Sequence, residues 1–295
     1  MSTPATPLLA RFRFLIAAGV VASCAATPDA APPESPPTAS ASALNGPASA
    51  PGQTVPGAVA DCQAWAMRTE GRARYENNIW GSKKAKGKFK QCLLTRQRNG
   101  KREVGWTWSW PGFDPSVFAY PEVVVGLKPW SGGASTDARF PIKVSDVGAL
   151  SLEYEVETSA TGSYNLAPEI WLTDSARPNP KSITSEVMFW MDYAEGARPA
   201  GSIIDHVELD GVTYELWREE SIGADANGKG WQLLSFKSPE RQLKGRIDIA
   251  ALLRHLTAAK LVSTSDYVAS VEFGNEIMGG TGTTWIHHFD VRVGP

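Results

Sequence analysis

Ser185-Glu186-Val187-Met188-Phe189-Trp190-Met191-Asp192-Tyr193 is the stretch on which the reading of this chain turns. Strand alternation sets Val187, Phe189, Met191 and Tyr193 on one face and Glu186, Met188, Trp190 and Asp192 on the other. The first set suits the interior of a sandwich. The second places a carboxylate, a thioether and an indole side by side on a face that ordinarily carries Thr, Lys, Glu or Ser. Two readings stay open on this strand alone: a cleft that stacks on a flat ligand and carries an acid, or a partly covered sheet face with an incidental glutamate.

Period two continues outward. Glu122 to Leu127, Leu150 to Val156, Glu186 to Tyr193, His206 to Leu209, Thr213 to Trp217, Trp231 to Phe236, Tyr267 to Phe273 and Trp285 to Val293 read as strands, with Gly, Pro, Asn and Asp between them. Arg98-Asn99-Gly100-Lys101 is a hairpin signal, because Asn-Gly suits the positive φ angles of a type I′ turn. Many short strands with turn chemistry predict an all-β fold, a two-sheet antiparallel jelly-roll sandwich. One segment breaks the pattern. After Asp248, an N-cap residue type, Ile249, Leu252, Leu253 and Leu256 fall at helical spacing, which predicts one packed helix over 249–260.

The chain has 295 residues, 42% hydrophobic and 20% charged, with 29 basic and 31 acidic side chains for a net charge of -2. That balance argues against a nucleic-acid partner, which would call for a basic excess to displace counterions. Eleven tryptophans are the unusual count. They imply either a large aromatic core or a surface built to stack on flat apolar faces, and composition does not choose between the two.

The first segment reads as an export signal, residues 1–24. Arg11 and Arg13 precede an apolar run from Phe14 to Ala22 that is too short to span a bilayer. It ends in Val21-Ala22-Ser23-Cys24, which resembles a bacterial lipobox with Cys24 as the lipidated residue and a membrane anchor. Ordinary cleavage just beyond, at Ala25 or Ala26, is the other reading, and both export the protein. Residues 25–58, rich in Ala, Pro, Ser and Thr, lack the apolar area to offset ordering and read as a tether. One folded domain, 59–295, is expected, acting as a monomer. Cys62 and Cys92 remain in a disulfide-permitting compartment and are expected to pair, contributing on the order of 3 kcal/mol by loop entropy.

Several chemistries lack their motifs. The histidines are His206, His255, His287 and His288, with no His-Glu-x-x-His and no cysteine cluster, so neither a metal site nor any cofactor is expected. His287 and His288 alternate across a strand, so at least one reads as structural. No Gly-x-Ser-x-Gly elbow occurs. Met278-Gly279-Gly280-Thr281-Gly282 reads as a glycine-rich loop without the P-loop lysine. Lys83, Lys84, Lys86, Lys88 and Lys90 read as a solvated loop.

An ordered set of motifs resembles glycoside hydrolase family 12, the compact jelly-roll cellulases and xyloglucanases. Cys62-Gln63-Ala64-Trp65 is similar to the family's Cys-x-x-Trp, and Asn77-Asn78-Ile79-Trp80-Gly81 to its Asn-Asn-Leu-Trp-Gly. Glu186-Val187-Met188-Phe189-Trp190 matches its Glu-x-Met-x-Trp, and Phe273-Gly274-Asn275-Glu276 its Phe-Gly-Thr-Glu. The resemblance implies a retaining endo-β-1,4-glucanase acting on β-glucan, with Glu186 as nucleophile and Glu276 as general acid/base. Glu169 stands where the family has a supporting Asp, one methylene shorter. Asn78, Trp80, Met188 and Trp190 match substrate-binding residues, and Trp65 extends that side or packs in the core. The chain departs after Glu276, where Ile277-Met278-Gly279-Gly280 replaces Pro-Phe-Thr-Gly.

A retaining pair stands about 5–5.5 Å apart, one carboxyl ionised and the other protonated. The expectation is a raised pKa on Glu276 and an ionised Glu186, with Trp80 and Trp190 stacking on sugars. The runner-up within this chemistry is a xyloglucan-specific endoglucanase, since 120–130 looks more like bacterial members of the family, some of which prefer the branched polymer. A non-catalytic carbohydrate-binding sandwich would keep the tryptophans without needing paired carboxylates. An envelope lipoprotein without catalysis is the plainest alternative.

Overall fold

Two strands of unusual length organise the molecule. The structure, a computed structural model, describes residues 55–112, 116–130, 133–223 and 230–294. The expected signal segment with Cys24, and the tether up to residue 54, lie outside them. In chain order the strands are β1 Val59–Asp61, β2 Met67–Glu70, β3 Ala73–Glu76, β4 Lys90–Arg98, β5 Lys101–Trp110, β6 Glu122–Gly126, β7 Ile142–Lys143, β8 Ala149–Thr173, β9 Ile183–Trp190, β10 Asp192–Tyr193, β11 Ser202–Leu209, β12 Val212–Ile222, β13 Trp231–Lys237, β14 Lys244–Asp248 and β15 Tyr267–Gly294.

The 25-residue β8 and the 28-residue β15 pair with each other along almost their whole length. Their two halves serve different sheets. The first half of β8 and the second half of β15 pair with β14 and β5, extending through β4 to β1. The other halves pair with β6 and β9, extending through β3 to β2 on one side and through β13 and β12 to β11 on the other. The result is a six-stranded sheet facing a nine-stranded one, joined where β8 and β15 pass from one to the other, with the two-residue strands β7 and β10 adding short pairings to β15 and β8. Tyr154 of the first sheet meets Phe273 of the second at 5.3 Å between ring centroids, and Trp106 donates through Nε1 to Asn275 Oδ1 at 2.8 Å.

This is the expected all-β sandwich, with two differences of detail. The β9–β13 pair is parallel, because the chain leaves β9, forms the β11–β12 hairpin and returns in the same direction. The stretch 278–282, expected as a loop, is part of β15 and pairs with β5 and β8. Its glycines lower strand propensity, but partners on both sides supply the backbone bonds that hold it extended.

Local signals elsewhere act as their chemistry dictates. Asn99 and Gly100 both take positive φ, 53° and 75°, closing the β4–β5 hairpin with Arg98 opposite Lys101. Helix α1, Ile249–Ala258, is capped by Asp248, whose carboxylate accepts from the Ala251 backbone N–H at 2.9 Å. Ile249, Leu252, Leu253 and Leu256 are buried in the core between the sheets, as their spacing predicts. Cys62 and Cys92 form the expected disulfide, tying the segment after β1 to β4. His287 is held by Glu103 at 2.9 Å and reads as structural, while His288 on the opposite face is exposed.

Candidate active site

Alternation along the nine-stranded sheet sorts its residues cleanly. Val123 and Val125, Val271 and Phe273, Ile170 and Leu172, Val187 and Phe189, Leu234 and Phe236 face the core. The opposite face carries Glu76, Glu122, Glu272, Glu276, Glu169 and Glu186, six carboxylates on five neighbouring strands from β3 to β9. All but the partly exposed Glu276 are buried. So many buried acids on one face are costly unless paired, hydrogen-bonded or protonated, and the structure uses each of these means.

At the β3–β6 end the means is pairing. Lys128, just beyond β6, is 5% exposed and contacts Glu122 at 2.5 Å, Glu76 at 3.5 Å and Glu272 at 3.6 Å. Arg74 adds a second cation to Glu76. The buried carboxyl of Glu122 nevertheless sits well above the ordinary glutamate range, because burial and Glu272 outweigh the ammonium. Its Oε1 also accepts from Asn78 Nδ2 at 2.9 Å, and Asn78 Oδ1 accepts from the Trp80 backbone N–H at 3.1 Å. The expected substrate-binding residues Asn78 and Trp80 thus hang from the Lys128 cluster. Trp80 is half-buried with the Lys84 ammonium 5.4 Å from its ring centre. Trp65 is half-buried in the turn after the disulfide, its N–H bonded to Asn77 O.

At the β8–β9 end the means are protonation and hydrogen bonding. Glu169 stands opposite both Glu272 on β15 and Met188 on β9. Burial, then the charges of Glu186, Glu276, Glu272 and Glu122, hold its carboxyl well above the ordinary glutamate range. Glu186 stands opposite Trp171 and receives the Trp231 Nε1–H at 2.9 Å on Oε2. Glu276 stands opposite Asn165, whose Nδ2 donates to Glu276 Oε2 at 2.5 Å while its Oδ1 accepts from the Glu276 backbone N–H at 3.3 Å. The chain there passes under Tyr120–Glu122. A side chain at Gly274 would lie 2.5 Å from Pro121 O and 2.9 Å from the Tyr120 ring, so only glycine fits two residues before Glu276.

The charge distribution corrects one expectation. Both carboxyls are raised, Glu186 to about 8 and Glu276 to about 7. Burial is the largest cause for each. Glu186 also faces the charges of Glu276 and Glu272, which its Trp231 hydrogen bond only partly offsets, while Glu276 has the Asn165 donor. The two titrate as a pair, which carries one proton between those two values.

Trp190 also differs from the expected stacking platform. It is 4% exposed and packs with Met188, Ala167 and Leu233 beneath Tyr193, Ala197 and Ala200. Regular alternation ends at Met191, so Tyr193 joins this cluster instead of the main core. Asp192 is buried and pairs with Arg241 at 3.1 Å. The partly exposed indoles are Trp65, Trp80, Trp130, Trp217 and Trp231, and each lies on or next to the nine-stranded sheet. Among the described residues, no group of three or more His, Cys, Asp or Glu side chains is arranged to hold a metal ion.

Sequence reasoning missed Asn165 and Trp231. Each contacts a candidate carboxylate only through a strand register, which the linear sequence does not display.

Comparison with known proteins shows the family and the fold. The model of glycosyl hydrolase family 12 matches residues 72–293. Endoglucanase S of Pectobacterium parmentieri is 33% identical over 219 residues, 74% of this chain and 80% of that protein. A probable xyloglucan-specific endo-beta-1,4-glucanase A of Aspergillus terreus is 25% identical over 229 residues, 76% of this chain and 82% of that protein. The solved structure of a family 12 xyloglucanase from Bacillus licheniformis superposes with a TM-score of 0.72 at 29% identity, covering 80% of this chain and all of that one (100%).

Proposed function

The chain belongs to glycosyl hydrolase family 12, and from that premise we propose that it is an endo-β-1,4-glucanase that works by double displacement through Glu186 and Glu276. The observation that carries the residue assignment is the coupled pair itself. Two carboxyls stand on one sheet face, the charge of Glu276 raises Glu186, each has a single neutral side-chain donor, and both titrate far above an ordinary glutamate.

In the first step a Glu186 oxygen attacks the anomeric carbon as Glu276 gives its proton to the departing glycosidic oxygen. The C–O bond to the leaving chain breaks and a glycosyl ester on Glu186 forms. In the second step Glu276, now ionised, takes a proton from water, whose oxygen attacks the same carbon and frees Glu186. Two inversions give net retention. Asn165 holds Glu276 through both changes of charge, its amide N–H favouring the ionised form needed in the second step.

The active form carries one proton on the pair. From the form with that proton on Glu276, falling pH adds a second proton at Glu186 and rising pH removes the one on Glu276, so each direction removes activity. The expected kcat/KM profile is a bell with both limbs above the ordinary glutamate range, since both groups are raised. A profile whose acid limb lies near pH 4 would contradict it.

A second reading within the same chemistry is preference for xyloglucan, favoured by the likeness to the Bacillus licheniformis xyloglucanase. A side-by-side digest of carboxymethylcellulose, barley β-glucan and xyloglucan decides between them. Release of short oligosaccharides from the linear glucans is expected; cleavage of xyloglucan alone would move the assignment to the branched polymer. No release from any polymer would leave a carbohydrate-binding sandwich. Export, with lipidation of Cys24, remains part of the proposal on the strength of the sequence motif.

A further inference from the structure

We propose that Trp231 is a positioning residue of the reaction, its indole N–H orienting the Glu186 carboxylate and stabilising the charged form that attacks; the inference rests on Glu186 being the nucleophile. Three tryptophans from separate parts of the chain meet beside this carboxylate. Trp130 follows β6, Trp171 lies on β8 and Trp231 begins β13, with ring centres 5.4–5.8 Å apart and edge-on packing. Among these three indoles, the Trp231 N–H reaches Glu186, while the Trp171 N–H is buried without a partner in the described structure.

The backbone makes room for this orientation. Gly223, at φ +63°, lies directly against the Trp231 ring, and a Cβ there would come within 2.0–2.2 Å of ring carbons. Trp231 is therefore seated between a glycine and two other indoles, with its N–H at 2.9 Å from Glu186 Oε2. A ring so enclosed has little rotamer freedom, so the carboxylate it holds is fixed as well.

The choice of donor has a chemical consequence. An indole donates and never accepts, so this bond favours the ionised carboxylate over the protonated one. The charges that act on Glu186 among the described residues work the opposite way. Glu276 and Glu272 project from β15 and raise it, Glu169 on β8 is a further acid on the same face, and the Lys128 ammonium is engaged by Glu122, Glu76 and Glu272. Trp231 supplies from β13 the stabilisation of charge that a cation supplies elsewhere on this face, without neutralising the nucleophile.

The test uses Trp231→Phe and, to remove the N–H while keeping the ring outline, 3-benzothienylalanine at position 231. Each is compared with wild type by the pH dependence of kcat/KM on an aryl β-cellobioside. Both should move the acid limb up by about one pH unit, while the thermal midpoint of the benzothienyl enzyme stays at the wild-type value. Gly223→Ala, which pushes the ring off its seat, should move the limb in the same direction. An unmoved acid limb in the folded benzothienyl enzyme would overturn the proposal and leave Trp231 as packing alone. The underlying assignment is checked separately with Glu186→Ala and added azide. Restored turnover giving an α-glycosyl azide supports Glu186 as nucleophile; no restoration removes that premise and the inference with it.

Discussion

Glu186→Gln is expected to lower hydrolysis of soluble β-1,4-glucan by at least about 10³-fold while leaving the thermal midpoint unchanged or higher. The amide occupies the same space and still accepts from the Trp231 N–H, but it has no charge to place on the anomeric carbon. Stability should not fall, because the substitution removes a buried acid that faces Glu276 and Glu272. Glu276→Gln should lose activity on the polymer on a comparable scale. It should retain much of its glycosylation rate on an aryl glycoside whose leaving group needs no proton. That variant also tests the coupling. Removing the Glu276 charge lowers the Glu186 pKa, so the acid limb on the aryl substrate should move down, opposite in sign to the shift expected on loss of the Trp231 N–H. Near-wild-type polymer hydrolysis by either glutamine variant would contradict the assignment.

The second large effect concerns stability. Lys128→Met is expected to cost about 3–5 kcal/mol of unfolding free energy, the usual penalty for breaking a buried ion pair from one side. Glu122, Glu76 and Glu272 would lose their shared ammonium in a setting closed to water. The sign with pH follows. Without the cation Glu122, already raised by burial, has a folded pKa still further above its unfolded one, so the folded state binds that proton more tightly and the deficit shrinks as pH falls through the folded value. Adding Glu122→Gln to Lys128→Met should recover part of the loss for the same reason. Urea unfolding at pH 7 and pH 5 checks both statements. By contrast, Lys244→Met, which breaks the exposed pair with Glu155, should leave the urea midpoint where it is. An equal loss in both variants would mean that the buried cluster carries no special weight.

The sequence displayed one half of the site and hid the other. Alternation around Glu186 was visible because Val187 and Phe189 are strongly apolar and their neighbours are not. Helix α1 was visible from its cap and its leucine spacing, and the β4–β5 turn from Asn99-Gly100. The long strands were not. Gly279, Gly280 and Gly282 read as a loop because nothing local reveals that β5 and β8 flank them and supply their hydrogen bonds. Partners set by register were equally hidden. Asn165 meets Glu276 across a distance of 111 residues and Trp231 meets Glu186 across 45, and neither motif names its donor. The rise of the Glu186 pKa is hidden for a related reason: Glu276 and Glu272, whose charges raise it, become its neighbours only when β15, β8 and β9 align.

The central claim is that Glu186 forms a covalent bond to the sugar. The most direct measurement is to incubate the enzyme with a 2-deoxy-2-fluoro-β-cellobioside bearing a good leaving group, digest it, and locate the adduct by mass spectrometry. The account predicts one adduct per chain, on the peptide that contains Glu186. An adduct on Glu276 or Glu169, or hydrolysis of the polymer to α-anomeric product with no adduct at all, would contradict it.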